Sequence, residues 1–271
     1  MINWAHVRVM IMLSWREQLH YRAEMLISLI TGPVYLLVNY IVWKSIFSAN
    51  PAGTISGYTF EQMMSYYILT FSVSYLVWDN TCDWMESEIS KGKFSNLLTK
   101  PMHVYRHYLY YKLGHRGLAF FVEFLPLLAI SGLIFGILPL EWTHLIPFVA
   151  SVIIASYVNF QIQFIMGTTT FWTTKSSGLT RLITWTSAIF AGKYFPLPLL
   201  PAWAQWLFLG LPFALTSFFP VQAALGGVTI AGIWFSPWML IGYQCLYVIF
   251  LEFTMIRFYE HSVSKFGGVG V

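Results

Sequence analysis

Glu123 and Glu252 are the residues best placed to do chemistry in this chain, because each lies inside a long apolar run. An acid within hydrocarbon costs about 2.5–3.5 kcal/mol on insertion scales, so it is kept for a reason. Each lies about six residues from the same end of its run, which at about 1.5 Å per residue gives the two a common depth. The first reading is a structural ion pair with Arg116 or Arg257. Contact with headgroups is the alternative, and a proton relay is the reading it competes with. Asp79 and Asp83 stand one helical turn apart, where they present a helix to the loop that follows.

Other chemistries lack their residues. The seven histidines are scattered, and His103, His107 and His115 share one loop without metal-ligand spacing. There is no HExxH. Cys82 and Cys245 fall in apolar stretches and read as small hydrophobes. No G-x-x-x-x-G-K-[ST] is present, so the chain has no phosphate-cradling loop. Any ATP and Mg²⁺ must bind a second polypeptide. An intramembrane enzyme needs a convergent acid/base set, and none can be assembled here. No catalytic residue, metal ligand or cofactor site is expected.

The elements that carry these residues are membrane spans. Only 10% of the residues are charged and 57% are apolar, against about a quarter charged in a soluble domain. Mean hydropathy is +0.63. Six runs approach the roughly 20 residues a spanning helix needs: 25–47, 60–84, 117–138, 145–173, 179–192 and 236–258. They are too long and too little alternating for barrel strands. The expected fold is therefore all-α, a single membrane domain over 1–271.

Lysine and arginine placement gives the orientation. Of 15 such residues only Lys44 and Lys193 fall outside the segments that are inner when the N-terminus is cytoplasmic. Both termini should be cytoplasmic, and the net charge of +4 reflects topology and not nucleic-acid binding. Residues 1–22 are no cleavable signal, being interrupted by Arg8, Arg16, Glu17 and Arg22. Trp4, Val7, Ile11, Trp15 and Leu19 recur at helical spacing, as in an amphipathic helix lying in the membrane interface.

Between the second and third spans lies the charged segment 87–101, "SEISKGKFSNLLTKP". The serine hydroxyls suit a helix start, Gly92 interrupts, and Pro101 stops the run. Phe94, Leu97 and Leu98 form an apolar patch that reads either as a protein-docking seat or as side chains dipped into lipid. Two polar stripes, Tyr66, Thr70, Ser74 and Thr81 on span two and Asn159, Gln163, Thr170 and Thr174 on span four, either glue helices or line a substrate path. Gly132 and Gly136 form a GxxxG that suggests local close packing. Residues 193–220 combine Pro196, Pro198, Pro201, Pro212 and Pro220 with Trp203 and Trp206. That density breaks a straight span, yet the segment is too apolar for a soluble loop. Short broken helices are expected, as an outer gate or an interfacial apron.

The whole chain resembles the six-span permeases of ABC-2 type transporters that pair with a separately encoded ATPase. "EISKGKFSNLLTKPMHVYRHYL" after span two carries the resemblance, as does "AGKYFPLPLLPAWAQWLFLGLPF" with "FFPVQAALG" after span five. Lys193 departs from the uncharged residue expected beside Gly192. The resemblance implies that 87–101 is a coupling helix seated in the ATPase. Phe94, Leu97 and Leu98 would be its seat, Glu88, Lys91 and Lys93 its register, and Gly92, Lys100 and Pro101 its frame. It implies re-entrant helices and an outer gate at Phe195, Pro196, Leu200, Pro201, Trp203, Leu211, Pro212 and Phe213. It further implies two ATPase copies, a second permease (a copy or a related chain), surrounding lipid, a prokaryotic inner membrane and export driven by alternating access. A secondary transporter would show an internal repeat and helices broken at the midplane; neither is evident. A lipid-modifying enzyme would need the acid/base set noted above.

Overall fold

The computed structural model describes residues 4–20, 22–100, 102–137, 139–173 and 177–264. Pro101, Thr174, Lys175 and Lys265 lie outside the described residues. Helix α1 (Trp4–His20) precedes α2 (Arg22–Ser48) and α3 (Phe60–Val77). Thr59 and Gln62 cap α3 reciprocally, each side chain taking the other's backbone N–H. After a break come α4 (Thr81–Ser90), the single turn α5 (Ser95–Leu98) and α6 (Val104–Ala119). A π-helical turn at Phe120–Phe124 joins α6 to α7 (Leu125–Phe135). Then follow α8 (Leu145–Thr168), α9 (Thr170–Thr173) and α10 (Ser177–Phe190). Next come α11 (Ala202–Gly210), α12 (Phe218–Ala224), a hairpin of β1 (Val228–Ile230) and β2 (Ile233–Phe235), and α13 (Pro237–Ser264).

Among the described residues four helical stretches are long and apolar enough to cross a membrane: Ile27–Ser48, Val104–Phe135, Trp142–Trp172 and Pro237–Ser264. The surface agrees with that reading. Ile30, Ile41, Leu133, Ile153, Ile249 and Phe253 are exposed, while Lys112, Ser151, Gln161 and Gln244 are buried. A chain dissolved in lipid puts its polar side chains where other helices can satisfy them. α8 and α13 show this directly: Gln244 Nε2 donates to the Leu215 carbonyl at 2.9 Å, and Ser151 Oγ donates to Gln244 Oε1 at 2.8 Å.

The expected second span does not run unbroken over 60–84. Helix α3 stops at Val77, and Asp79 Oδ1 accepts the Thr81 N–H at 2.7 Å, turning the chain before α4. The expected third span begins earlier than 117, because α6, the π turn and α7 form one rod of 32 residues. Its length of about 48 Å exceeds a hydrocarbon core of about 30 Å, so its polar first half extends beyond. Gly136 is no packing glycine. At φ +66° it takes the left-handed conformation that ends α7.

Helix α1 packs across α6. A Cβ on Gly114 would collide with Ser14 Oγ, and Trp15 Nε1 donates to the Gly114 carbonyl at 2.8 Å. Its outward side carries exposed Val9, Met12, Leu13 and Leu19. Met85 and Cys82 on α4 also approach Gly167 on α8, where a Cβ would lie 2.7 Å from Met85 Sδ.

Candidate substrate path and coupling segment

A cavity of about 410 Å³ lies between the α3–α4 break, α8 and α10. Asp79, Asn80 and Asp83 come from the break, Asn159 and Gln163 from α8, and Arg181, Thr184 and Ser187 from α10. Lys193, Phe213 and Thr216 close it at the far end of α10. The other side of α10 is apolar and exposed, with Leu182 and Ile189 facing out. α10 thus divides a polar-lined cavity from an apolar exterior, although at 14 residues it is too short to span alone. Lys193 itself is half-buried.

The polar stripes divide between two roles. Asn159 and Gln163 reach this cavity, and Asn159 Nδ2 also donates to the Val77 carbonyl at 2.7 Å, holding the end of α3. Tyr66 instead donates its buried hydroxyl to the Gly192 carbonyl, pinning α3 to the turn after α10. Thr70 and Thr170 are buried, and Ser74 Oγ bonds back to the Thr70 carbonyl at 2.8 Å. The sequence reading missed Asp79, Asp83, Arg181 and Ser187 as cavity residues.

The intramembrane acids are held by neutral donors. Glu252 Oε2 accepts from Tyr157 Oη at 2.6 Å and from Gln161 Nε2 at 2.8 Å. Glu123 Oε1 accepts from Ser28 Oγ at 2.8 Å, while Arg116 Nη1 donates to the Tyr75 carbonyl at 2.7 Å. Neither acid forms the expected ion pair among the described residues. The buried pair is Lys112 with Asp79, at 2.8 Å.

Residues 87–100 do not form a helix starting at the serines. Ser87–Ser90 end α4, and Gly92, at φ +67°, makes the turn that leads to α5. The apolar patch is divided. Phe94 is fully buried and Leu97 nearly so, packed with Met85, Ile89, Val104, Tyr108, Phe160, Phe164 and Met255. Phe94 also meets Phe171 edge-on, with ring centroids 5.0 Å apart. An aromatic ring on a short polar segment gains most by joining its own protein's core, and here α4, α6 and α8 offer one. Leu98 is exposed, as are Lys91, Lys93 and Lys100. Glu88 Oε2 accepts from Tyr108 Oη at 2.6 Å, and Lys91 Nζ donates to Ser87 Oγ at 2.8 Å.

The proline-rich stretch folds as short pieces whose open backbone groups are met by side chains. Gln205 Nε2 donates to the Leu200 carbonyl at 2.7 Å, and Gln205 Oε1 accepts the Ala231 N–H at 2.6 Å. Tyr243 and Tyr247 on α13 donate to the Leu209 carbonyl at 2.9 and 3.2 Å. Pro196 is buried, Phe195, Leu200, Leu211, Pro212 and Phe213 are half-buried, and Pro201 and Trp203 are exposed.

Neither a curated protein nor a solved structure matches the chain. Residues 34–270 match the family described as ABC-2 family transporter protein. With long apolar helices around a polar interior, the chain belongs to that family and is a transmembrane permease, a transport subunit with no enzymatic activity of its own.

Proposed function

We propose that this chain is the six-span membrane half of an ATP-driven exporter, inserted in a prokaryotic inner membrane with both termini cytoplasmic. The distribution of lysine and arginine supports that orientation. In this reading α3 with α4, and α10 with the turn after it, make up the two spans that are not individually long and apolar. Two copies of a separate ATPase, holding ATP and Mg²⁺, drive it, and a second permease completes the path. Segment 87–101 is the coupling element, and 193–220 forms the outer gate from re-entrant pieces.

The observation that carries the proposal is the position of α4. Its N-terminal end lines the cavity through Asn80 and Asp83, and its C-terminal end leads through Gly92 into the exposed Lys93, Leu98 and Lys100. An α-helix of 10 residues is a stiff rod of about 15 Å. Phe94 and Leu97, rooted in the core beside α8, make the exposed turn move with α4 and not independently of it. The ATPase then docks on Leu98 with Lys91, Lys93 and Lys100, whose charges steer docking more than they add affinity. Closure of the ATPases tilts α4 and reshapes the cavity.

The test is ATP-dependent accumulation of fluorescent amphiphiles inside inverted-membrane vesicles carrying the chain with its ATPase. Replacing the ATPase's Walker lysine by alanine is expected to abolish ATP-dependent movement. Movement that persists with that variant and follows an imposed proton or sodium gradient would establish secondary transport instead.

A further inference from the structure

A second cavity, of about 520 Å³, lies between α1, the α3–α4 break and α6, and shares Trp78 and Asn80 of the break with the first. Glu17 and Gln18 contribute from α1, His115 and Arg116 from α6, Glu123 from the π turn, and Trp84 from α4. Its charges alternate. Glu17 is exposed at the rim, while Arg116 and Glu123 are half-buried. Arg116 Nη1 is fixed by the Tyr75 carbonyl and Glu123 is engaged by Ser28. Three lining residues nevertheless hold a buried polar atom without a hydrogen-bond partner: Arg116 Nε, His115 Nε2 and Gln18 Oε1. Buried polar atoms are nearly always paired, and these three belong to residues that line one cavity beside two carboxylates, a lining suited to a polar, charged ligand. Trp78 on its wall, and Phe120 and Phe121 next in the chain to the lining residue Ala119, are exposed apolar rings.

The occupant must bring an acceptor for Arg116 and His115, a donor for Glu17 and Gln18, and an apolar body for the rings. A phosphate supplies the first, since guanidinium N–H groups bind phosphate oxygens by charge-assisted bonds. A primary ammonium supplies the second, with three N–H donors. A quaternary ammonium has none and would leave Gln18 Oε1 unpaired. A free anion would meet the two carboxylates unfavourably. We infer that the cavity between α1 and α6 is a phospholipid site taking a phosphoethanolamine headgroup, with the phosphate on Arg116 and the ammonium on Glu17. The acyl chains leave over Trp78, Phe120 and Phe121. Such a lipid holds α1 against the bundle at the point where Trp15 and Ser14 already cross α6.

Native mass spectrometry of the full chain in mild detergent tests this, titrating phosphatidylethanolamine, phosphatidylcholine, phosphatidylglycerol and soluble phosphoethanolamine. Phosphatidylethanolamine is expected to bind about tenfold more tightly than either other lipid, the worth of one charge-assisted hydrogen bond. Arg116→Gln is expected to remove that advantage. Because Arg116 also holds the Tyr75 carbonyl, the exposed Glu17 provides the second variant. Glu17→Lys should shift the preference to phosphatidylglycerol with thermal unfolding unchanged. Equal binding of the three lipids, or an unchanged order in Glu17→Lys, would overturn the assignment. Soluble phosphoethanolamine binding as tightly as the lipid would overturn it in favour of a soluble ligand.

Discussion

Lys112 Nζ on α6 lies 2.8 Å from Asp79 Oδ2 at the α3–α4 break, and both side chains are buried. Lys112 also donates to the Ser156 carbonyl on α8, so one cation ties three segments at the place where the cavity begins. Removing one partner leaves the other charge buried and unpaired, at a cost of about 3–5 kcal/mol. Lys112→Met and Asp79→Leu are each expected to lower thermal stability in detergent by that order. The double variant should recover most of the loss. Additive losses in the double-mutant cycle would show that the pair does not act as a unit.

The two leucines of the coupling segment should behave differently. Leu97→Asp places a charge in the cluster of Phe94, Val104 and Phe164, and is expected to abolish folded protein. Leu98→Asp changes an exposed position, and is expected to leave stability within about 0.5 kcal/mol while the ATPase no longer binds. Fluorescence size-exclusion profiles with ATPase pull-down separate the two outcomes.

Gln205 serves two backbone groups of the outer segment, and Gln205→Leu leaves both unpaired. Each buried unpaired group costs about 1–3 kcal/mol. Limited proteolysis between residues 196 and 232 should accelerate in the variant, while cleavage elsewhere keeps its rate. An unchanged pattern would mean that this side chain does not hold the segment.

If Glu252 only ties α8 to α13, Glu252→Gln should keep an acceptor for Tyr157 or Gln161 and leave the pH profile of transport unchanged. A proton relay through Glu252 would instead flatten that profile.

Hydropathy made the long helices legible because lipid imposes one requirement along the whole length of α2, α8 and α13. It did not locate the break at Asp79. The apolar pattern continues past Val77, and the turn depends on Lys112, which arrives from another helix 33 residues later. Val104–Arg116 reads as a polar loop because its helix buries polar groups against other helices: Lys112 reaches the Ser156 carbonyl on α8 and Tyr108 reaches Glu88 on α4. The hairpin at 228–235 was missed for its brevity: three-residue strands joined by Ala231 and Gly232, both at positive φ, carry too little periodicity. For Phe94 and Leu97 the sequence could show only that the segment has an apolar side. Which protein covers that side is a three-dimensional fact.

The most direct measurement is affinity purification of the full chain, expressed with its chromosomal neighbours, in mild detergent. A Walker-motif ATPase is expected in stoichiometric amount with the wild-type chain, and is expected to be lost from a stably folded Leu98→Asp variant. A chain that purifies without an ATPase, or an ATPase retained equally by that variant, would contradict coupling through the Gly92–Lys100 turn.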